Sequence, residues 1–465
     1  MGDCGVVKQD CRRRVINDYR QQYGGIREAW AVTGIYSAPL KYFGSDTKCV
    51  RFFNNKNEVY DLSVVNMAQP YLTKTEFDRR IEKARDALAE DDADAFCLFS
   101  ATSIEWLSGF HHLQTERPVC LVVTDESVHV TVPRLERDRA GTVSTIDTVH
   151  HYYDYPGGGE NYHHHPSRTP EATIKSMLDG LNVETVRADS DGAPGYWGYK
   201  GPSLSSFANV DVETVDWVTE WRKEKSPEEV ALIMESGKWG NLAHRYLQEY
   251  AKPGKHELWV AKQASLDASM AMLNTLGETY ESHLRGGFPA RCGFLSGENT
   301  WLPHGLTKNR RLTEGDVLVT GASANVGGYK SELERTMFVG EPTDEQRHYF
   351  EIMLEAQTIG IEESGPGVPC SHVDEAVHDY LAEQGVIEYA QHHTGHNLGM
   401  EGHEREFIDR GSEEVMQPGH VYSIEPGIYL PNEAGYRHSD TIVITDSGYE
   451  MVTYYPRDLE SNIIR

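Results

Sequence analysis

The sequence predicts a two-domain α+β protein, and three observations carry that reading. At 465 residues the chain exceeds what one ordinary hydrophobic core organises. From Tyr71 to about residue 215, helical stretches alternate with short apolar runs, the texture of an α/β domain. Near Trp217 a new helix opens behind a strong start signal, and a second domain begins there.

Residues 1–67 are polar and weakly periodic and read as an N-terminal extension, either native or an upstream reading from a misassigned start. From Tyr71 the pattern changes. Thr73 or Thr75 can cap a helix running through Leu88, and the apolar runs 95–99 and 119–123 read as strands. This domain spans 68–216. Inside it, His150-His151 and the triplet His163-His164-His165 are a histidine cluster of the kind that can bind metal. Without carboxylate or cysteine companions, in a Gly/Tyr/Pro-rich stretch, the triplet reads as a surface loop. The second domain spans 217–465. Ser226 as N-cap, Pro227 at the first helical position and Glu228-Glu229 in the first turn mark the start of its long helix.

Composition narrows the function classes. With 39% apolar and 25% charged residues the chain is an ordinary folded protein. No run of roughly eighteen apolar residues exists, and the first twenty residues lack the apolar stretch of a secretory signal, so a cytoplasmic protein with no membrane partner is expected. The formal charge of −28 is spread along the chain, as in Glu90-Asp91-Asp92-Ala93-Asp94. Dispersed acids suit a halophilic protein that stays soluble in concentrated salt, more than a field focused on one cationic ligand. No Lys/Arg stripe is present to neutralise phosphates, which disfavours nucleic acid. The cysteines, odd in number and without CxxC spacing, read as reduced thiols.

Four segments of the second domain carry chemistry: Trp301 to Gly305 around His304, Gly315 to Thr336, His393 to Glu404, and Ser423 to Thr441. Glu332 and Glu334, two apart on a strand, share a face, where paired carboxylates repel unless a cation, proton or metal sits between them. The bland alternative is a solvated strand face. His396 and His403 stand among glycines that let the backbone approach a ligand. Glu425, before Pro426-Gly427 at the end of an apolar strand, needs a partner if buried.

In this order His304, the Gly-Tyr-x-Ser-x-x-x-Arg-Thr segment ending at Thr336, the Gly-His-x-x-Gly-x-x-x-His-Glu segment from Gly395 and Glu425-Pro426-Gly427 resemble the creatinase, aminopeptidase P and prolidase superfamily. The resemblance covers the second domain and extends to the first. It implies a C-terminal pita-bread domain, a pseudo-twofold antiparallel sheet covered by helices, behind a creatinase-like N-terminal α/β domain. In the metallopeptidases of that superfamily Asp, Asp, His, Glu and Glu hold a pair of metal ions. Carried over, these positions fall on Gly321, Glu332, His396, Glu425 and Ser439. Glycine offers no ligand, and a serine hydroxyl is a poor one for a hard divalent ion. No metal is therefore expected, or at most one divalent ion on Glu332, His396 and Glu425.

The superfamily's metal-independent branch, with creatinase as its type, is the closer resemblance, through Ser331-Glu332-Leu333-Glu334-Arg335-Thr336 and the closing Asn462-Ile463-Ile464-Arg465. It implies His304 as the general base and acid, with Glu334 and Glu425 gripping a cationic guanidine or amidine and His396 beside them. A base of that pKa class and planar carboxylate pairs fit such a task. Glu332, His403 and Arg405 would line the substrate, and Arg117, in a segment resembling the one creatinase lends to its partner subunit, would reach a shared site in a homodimer. Departures at Glu332, Thr115 and Ser439 leave the substrate open. The expected function is hydrolysis of a C–N bond in a small guanidine, amidine or amide. The alternatives are an Xaa-Pro dipeptidase or aminopeptidase P with a degraded metal site, and a non-catalytic peptide-binding relative.

Overall fold

The computed structural model describes residues 70–153, 169–193, 201–284 and 287–465. The expected extension 1–67 and the His163–His165 triplet lie outside the described residues.

Thr73 starts α1 (Lys74–Glu90): its hydroxyl accepts the Glu76 N–H, so the cap falls on Thr73 rather than Thr75. The strands β1 (Ala95–Leu98), β2 (Cys120–Val123), β3 (Val128–Pro133), β4 (Thr148–Tyr152), β5 (Thr185–Ala188) and β6 (Asp211–Thr214) form a mixed sheet in the order β4-β3-β2-β1-β5-β6. Its central strands are buried on both faces, which explains their uninterrupted apolar runs. Helices α2 (Ala101–Ser108) and α3 (Pro170–Gly180), with shorter helical turns, pack with this sheet.

The second part begins at α4 (Pro227–Tyr250), where Ser226 and Glu229 form a reciprocal capping box behind Pro227. After α5 (Glu257–Leu276) come β7 (Ala290–Ser296), β8 (Val317–Val326), β9 (Tyr329–Lys330) and β10 (Leu333–Val339). A second pair of helices, α6 (Asp344–Glu362) and α7 (Cys370–Glu383), then precedes β11 (Gly395–Asn397), β12 (Glu404–Ile408), β13 (Val421–Ile424), β14 (Gly427–Leu430), β15 (Ala434–Arg437), β16 (Ser439–Thr445), β17 (Gly448–Met451) and β18 (Ile463–Ile464). Two helices followed by strands occur twice, the expected pseudo-twofold pattern. The large sheet runs β12-β11-β13-β16-β10-β8-β7, antiparallel along this path, with β17 on β16, β18 parallel to β10 and β9 on β8.

The described residues, from 70 to 465, form one compact unit. Glu229, at the start of α4, is the reason at the level of side chains. It accepts from Trp106 Nε1 at 3.1 Å and Tyr329 Oη at 2.7 Å, and pairs with Arg80 at 3.2 Å. Arg80 is fully buried, lies over the Trp106 ring and donates to the Trp106 carbonyl. The same apolar core joins Ile81, Phe96 and Trp106 to Leu232, Ile233 and Tyr329. The two sheets are thus welded through a satisfied polar knot inside an apolar seam.

A second knot sits behind the large sheet. Arg335, fully buried, spends its guanidinium N–H groups on Asp440 Oδ1 at 2.9 Å and on the carbonyls of Glu334, Ser439, Tyr455 and Pro456. Asp440 also accepts from Thr453 and Gln357. A buried ion pair this completely bonded fixes β10 against β16, and those strands carry the residues described next.

Candidate functional site

The site is built where β10, β11, β13, β15 and β16 converge. Glu332 precedes β10 and Glu334 lies on it, paired across to Ser439 of β16 and Gly321 of β8. His396 rides on β11. That strand can press against β13 only because residue 395 is glycine: a Cβ there would meet the Ser423 carbonyl at 1.9 Å. Asp374 secures the approach by accepting from both the N–H and the hydroxyl of Thr394. Glu425 leaves the end of β13.

Side by side these residues form a charge cluster. His396 Nε2 lies 3.1 Å from Glu425 Oε1 and 3.8 Å from Glu332 Oε2. Its Nδ1–H donates to the Asn397 carbonyl, which holds the ring with Nε2 toward the acids. Arg437, on β15, takes both oxygens of Glu334, through Nη2 at 2.7 Å and through Nε, and comes within 3.9 Å of Glu425. Tyr429 Oη bridges Arg437 Nη1 at 3.1 Å and His392 Nε2 at 2.8 Å. The His403 ring stacks on His396 at 3.8 Å between centroids.

Electrostatics pushes the two acids facing His396 in opposite directions. Burial, then the charges of Glu425 and Glu334, drive the Glu332 carboxyl up to about 8. Burial also works against ionisation of Glu425, but the hydrogen bond from His396 and the Arg437 charge outweigh it and hold Glu425 at about 2. Against its own burial, His396 is raised to about 9 by the Glu425 hydrogen bond and the charges of both acids. Burial lifts Glu334, with Arg437 opposing. Near neutral pH the cluster therefore holds a protonated Glu332 beside an imidazolium and an ionised Glu425.

The structure brings Glu332, Glu334, His396, His403 and Glu425 together. His304 stands on an exposed turn, close enough for its charge to act on His403, whose pKa falls through burial and the His396 charge first. Arg405 points outward from β12. Arg117 lies in the N-terminal sheet domain, between α2 and β2, with Nη1 3.1 Å from Glu116. Because Arg437 already holds Glu334, a substrate cation gripped there has to share or displace that guanidinium. Sequence reasoning missed Arg437, Tyr429 and His392. A signal for Arg437 existed, since it stands two residues before Ser439 on the chain that returns to the pocket.

A paired-metal centre does not fit these residues. A Cβ at Gly321 would grow to 3.4 Å from Glu334 Oε1, so the place of a first aspartate lies beside a carboxylate already bound to Arg437. The Ser439 hydroxyl is committed as a donor to Glu332 at 2.9 Å. One ion fits better: Glu332, His396 and His403 offer ligand atoms within 4.8 Å of one another. His403 joins this set in the place expected for Glu425.

Residues 231–446 match the family described as Metallopeptidase family M24, and residues 80–188 match the Creatinase/Prolidase N-terminal domain. The chain belongs to the creatinase, prolidase and aminopeptidase P superfamily. Within that superfamily it is 27% identical over 380 residues to an uncharacterized peptidase of Bacillus subtilis (strain 168), covering 82% of this chain and 99% of the relative. It is also 27% identical over 385 residues to an Xaa-Pro dipeptidase of Pyrococcus horikoshii, covering 82% and 98%. The solved prolidase from Pyrococcus horikoshii OT3 superposes with a TM-score of 0.68 at 26% identity, covering 82% of this chain and 99% of that one. An Xaa-Pro dipeptidase structure from Bacillus anthracis gives 0.69 at 23% identity, covering 83% and 99%, a likeness of fold. The pita-bread architecture and the creatinase-type N-terminal domain expected from the sequence are what the chain has. Among the described residues no helix is long and apolar enough to cross a membrane.

Proposed function

We propose that the protein is a hydrolase of C–N bonds that cleaves a small peptide, in the class of the Xaa-Pro dipeptidases, with its acid–base work done by Glu332, His396 and Glu425. One observation carries the chemistry: Glu425 and Glu332 face the same imidazole, at 3.1 and 3.8 Å, in surroundings that push the first carboxyl down and the second up. Such separation is how one pocket keeps an acid and an anion at the same pH. Glu332 would hold the proton for the departing amine, and the His396–Glu425 pair would orient the attacking water. Arg437 supplies fixed positive charge next to the acids. His304 and His403, at the open side, would meet the substrate. A single divalent ion, if bound, would be held by Glu332, His396 and His403 in their deprotonated forms and would supply Lewis acidity to the carbonyl in place of the Glu332 proton.

The substrate class follows from the named peptidases that this chain resembles over nearly their whole length. They favour the peptidase reading over the creatinase-type one. That second reading, metal-independent cleavage of a guanidine or amidine, keeps one observation on its side, the Gly321 and Ser439 replacements. The proposal extends to a homodimer in which Arg117 serves the partner's pocket. The test is a hydrolysis screen of Xaa-Pro dipeptides, creatine, guanidino acids and ectoine in high salt, with and without chelator. Dipeptide turnover that survives chelation, or needs a single ion per chain, supports the proposal. Turnover confined to guanidino or amidine substrates favours the second reading, and dependence on two ions in the pocket refutes both.

A further inference from the structure

A second cluster of ligand-type side chains lies outside the pocket, on the seam between the two sheets. Glu105, on α2, holds His111 through Oε2 at 2.8 Å and His283 through Oε1 at 2.9 Å. Both histidines present Nδ1, and their rings stack at 4.7 Å with an interplanar angle of 18°. Glu105 and His111 belong to the N-terminal domain, whereas His283 follows α5 in the C-terminal one. The three ligand atoms lie within 4.8 Å of one another.

Hydrogen bonding alone does not satisfy this group. The His111 contact is a well-aligned bond, but Glu105 Oε1 and His283 Nδ1 are buried and lack an aligned partner despite their closeness. Glu105 Oε1 and His283 Nδ1 thus face each other at 2.9 Å without an aligned hydrogen bond, an arrangement that costs free energy and that a cation between them would relieve. The backbone leaves room at that spot. Gly328 has φ of +93°, and a side chain there would come within 3.1 Å of His283 Nδ1 and 3.2 Å of Glu105 Oε1. A cavity of about 110 Å³, lined by Glu105, His283, Tyr71, Trp106 and Met400, adjoins the pair and can take the waters that complete a coordination shell. Arg80 also borders it, but its charge is already met by Glu76 and Glu229.

We propose that Glu105, His111 and His283 form a binding site for one divalent transition-metal ion of the zinc class, which clips the N-terminal domain to the C-terminal one. Two imidazoles and a carboxylate are a donor set for zinc rather than for calcium or magnesium, with solvent at the open position. At metal–ligand lengths of roughly 2.0–2.2 Å the ligand atoms would stand about 3.3 Å apart, so an ion would open the two Glu105–histidine contacts and the stacked rings would turn toward it.

The test uses the full chain, stripped with chelator and dialysed against Zn²⁺ at neutral pH in the presence of excess Mg²⁺, with bound metal counted by mass spectrometry. His283→Ala and Glu105→Gln are compared with wild type and with His396→Ala. The expected result is one Zn²⁺ per chain in His396→Ala, where the pocket set has lost its histidine, in addition to any pocket ion in wild type. That ion is lost, or bound at least roughly 100-fold more weakly, in His283→Ala and Glu105→Gln. Equal zinc content in wild type and Glu105→Gln overturns the site, as does a wild type whose zinc all disappears in His396→Ala. Glu105→Gln keeps the size of the side chain, so it decides the matter even where the histidine variant fails to fold. Neither outcome depends on the peptidase assay, so this inference and the proposed function fail separately.

Discussion

Replacing Glu332 by Gln tests the electrostatic core of the site. A carboxyl moved from 4.5 to about 8 is bound to its proton more tightly in the folded than in the unfolded chain. Its contribution to stability is therefore full below pH 4.5 and disappears as pH rises through 8. Each pH unit between those values removes roughly 1.4 kcal/mol, which gives about 4 kcal/mol between pH 5 and pH 8. The side chain is 23% exposed, and His396 takes up part of the repulsion, so the expected loss is about 2 kcal/mol. With an unfolding entropy of roughly 2.1 cal/mol/K per residue, that is about 2–3 °C in Tm for a unit of this size. The assay is thermal unfolding of chelator-treated wild type and Glu332→Gln at pH 5 and pH 8, at one ionic strength. Wild type should fall relative to the variant by that margin as pH rises, while titrating groups outside the cluster cancel in the comparison. Parallel pH profiles refute the claim that Glu332 carries a proton near neutrality.

Arg437→Gln removes the cation shared by Glu334 and Glu425 and should lower turnover about 100-fold, with unchanged circular dichroism. Arg335→Met leaves Asp440 as a buried anion without its main partner and should cost about 4 kcal/mol, or about 5 °C in the melting temperature. Gly321→Asp with Ser439→Glu restores the two absent ligand types. Because the introduced aspartate would grow against Glu334, metal counting should show a second ion only when Glu334 is also shortened to Ala. Ser226→Ala removes half of the capping box on α4 and should destabilise by about 1 kcal/mol, measured by denaturant unfolding.

The fold was legible wherever the chain's local signals agree. Ser226, Pro227 and Glu229 announce α4 because a capping box acts over a single turn. Unbroken apolar runs revealed β1 and β2 because a sheet buried on both faces tolerates little else. In the pocket, Glu332, His396 and Glu425 could be found by pattern, since glycines and strand ends mark them. Arg437 could not be assigned a role in the same way, because its partner Glu334 lies 103 residues away and only the pairing of β10 with β16 brings them together. The Glu105–His111–His283 group was hidden for the same reason. His283 carries no motif of its own, and its neighbours come from the other domain.

The knot of Arg80, Glu229, Trp106 and Tyr329 bears on how the enzyme can move. A guanidinium with no exposed surface, bonded to acids on both α1 and α4, does not permit the two halves to swing apart without stranding a charge in an apolar seam. Swinging one half away from the other would carry the cost of that unpaired buried charge. Smaller rearrangements, of the exposed turn carrying His304 and the stretch that presents His403, leave that knot intact. Their fluctuations, faster and smaller than a domain rotation, would then set the rhythm of turnover.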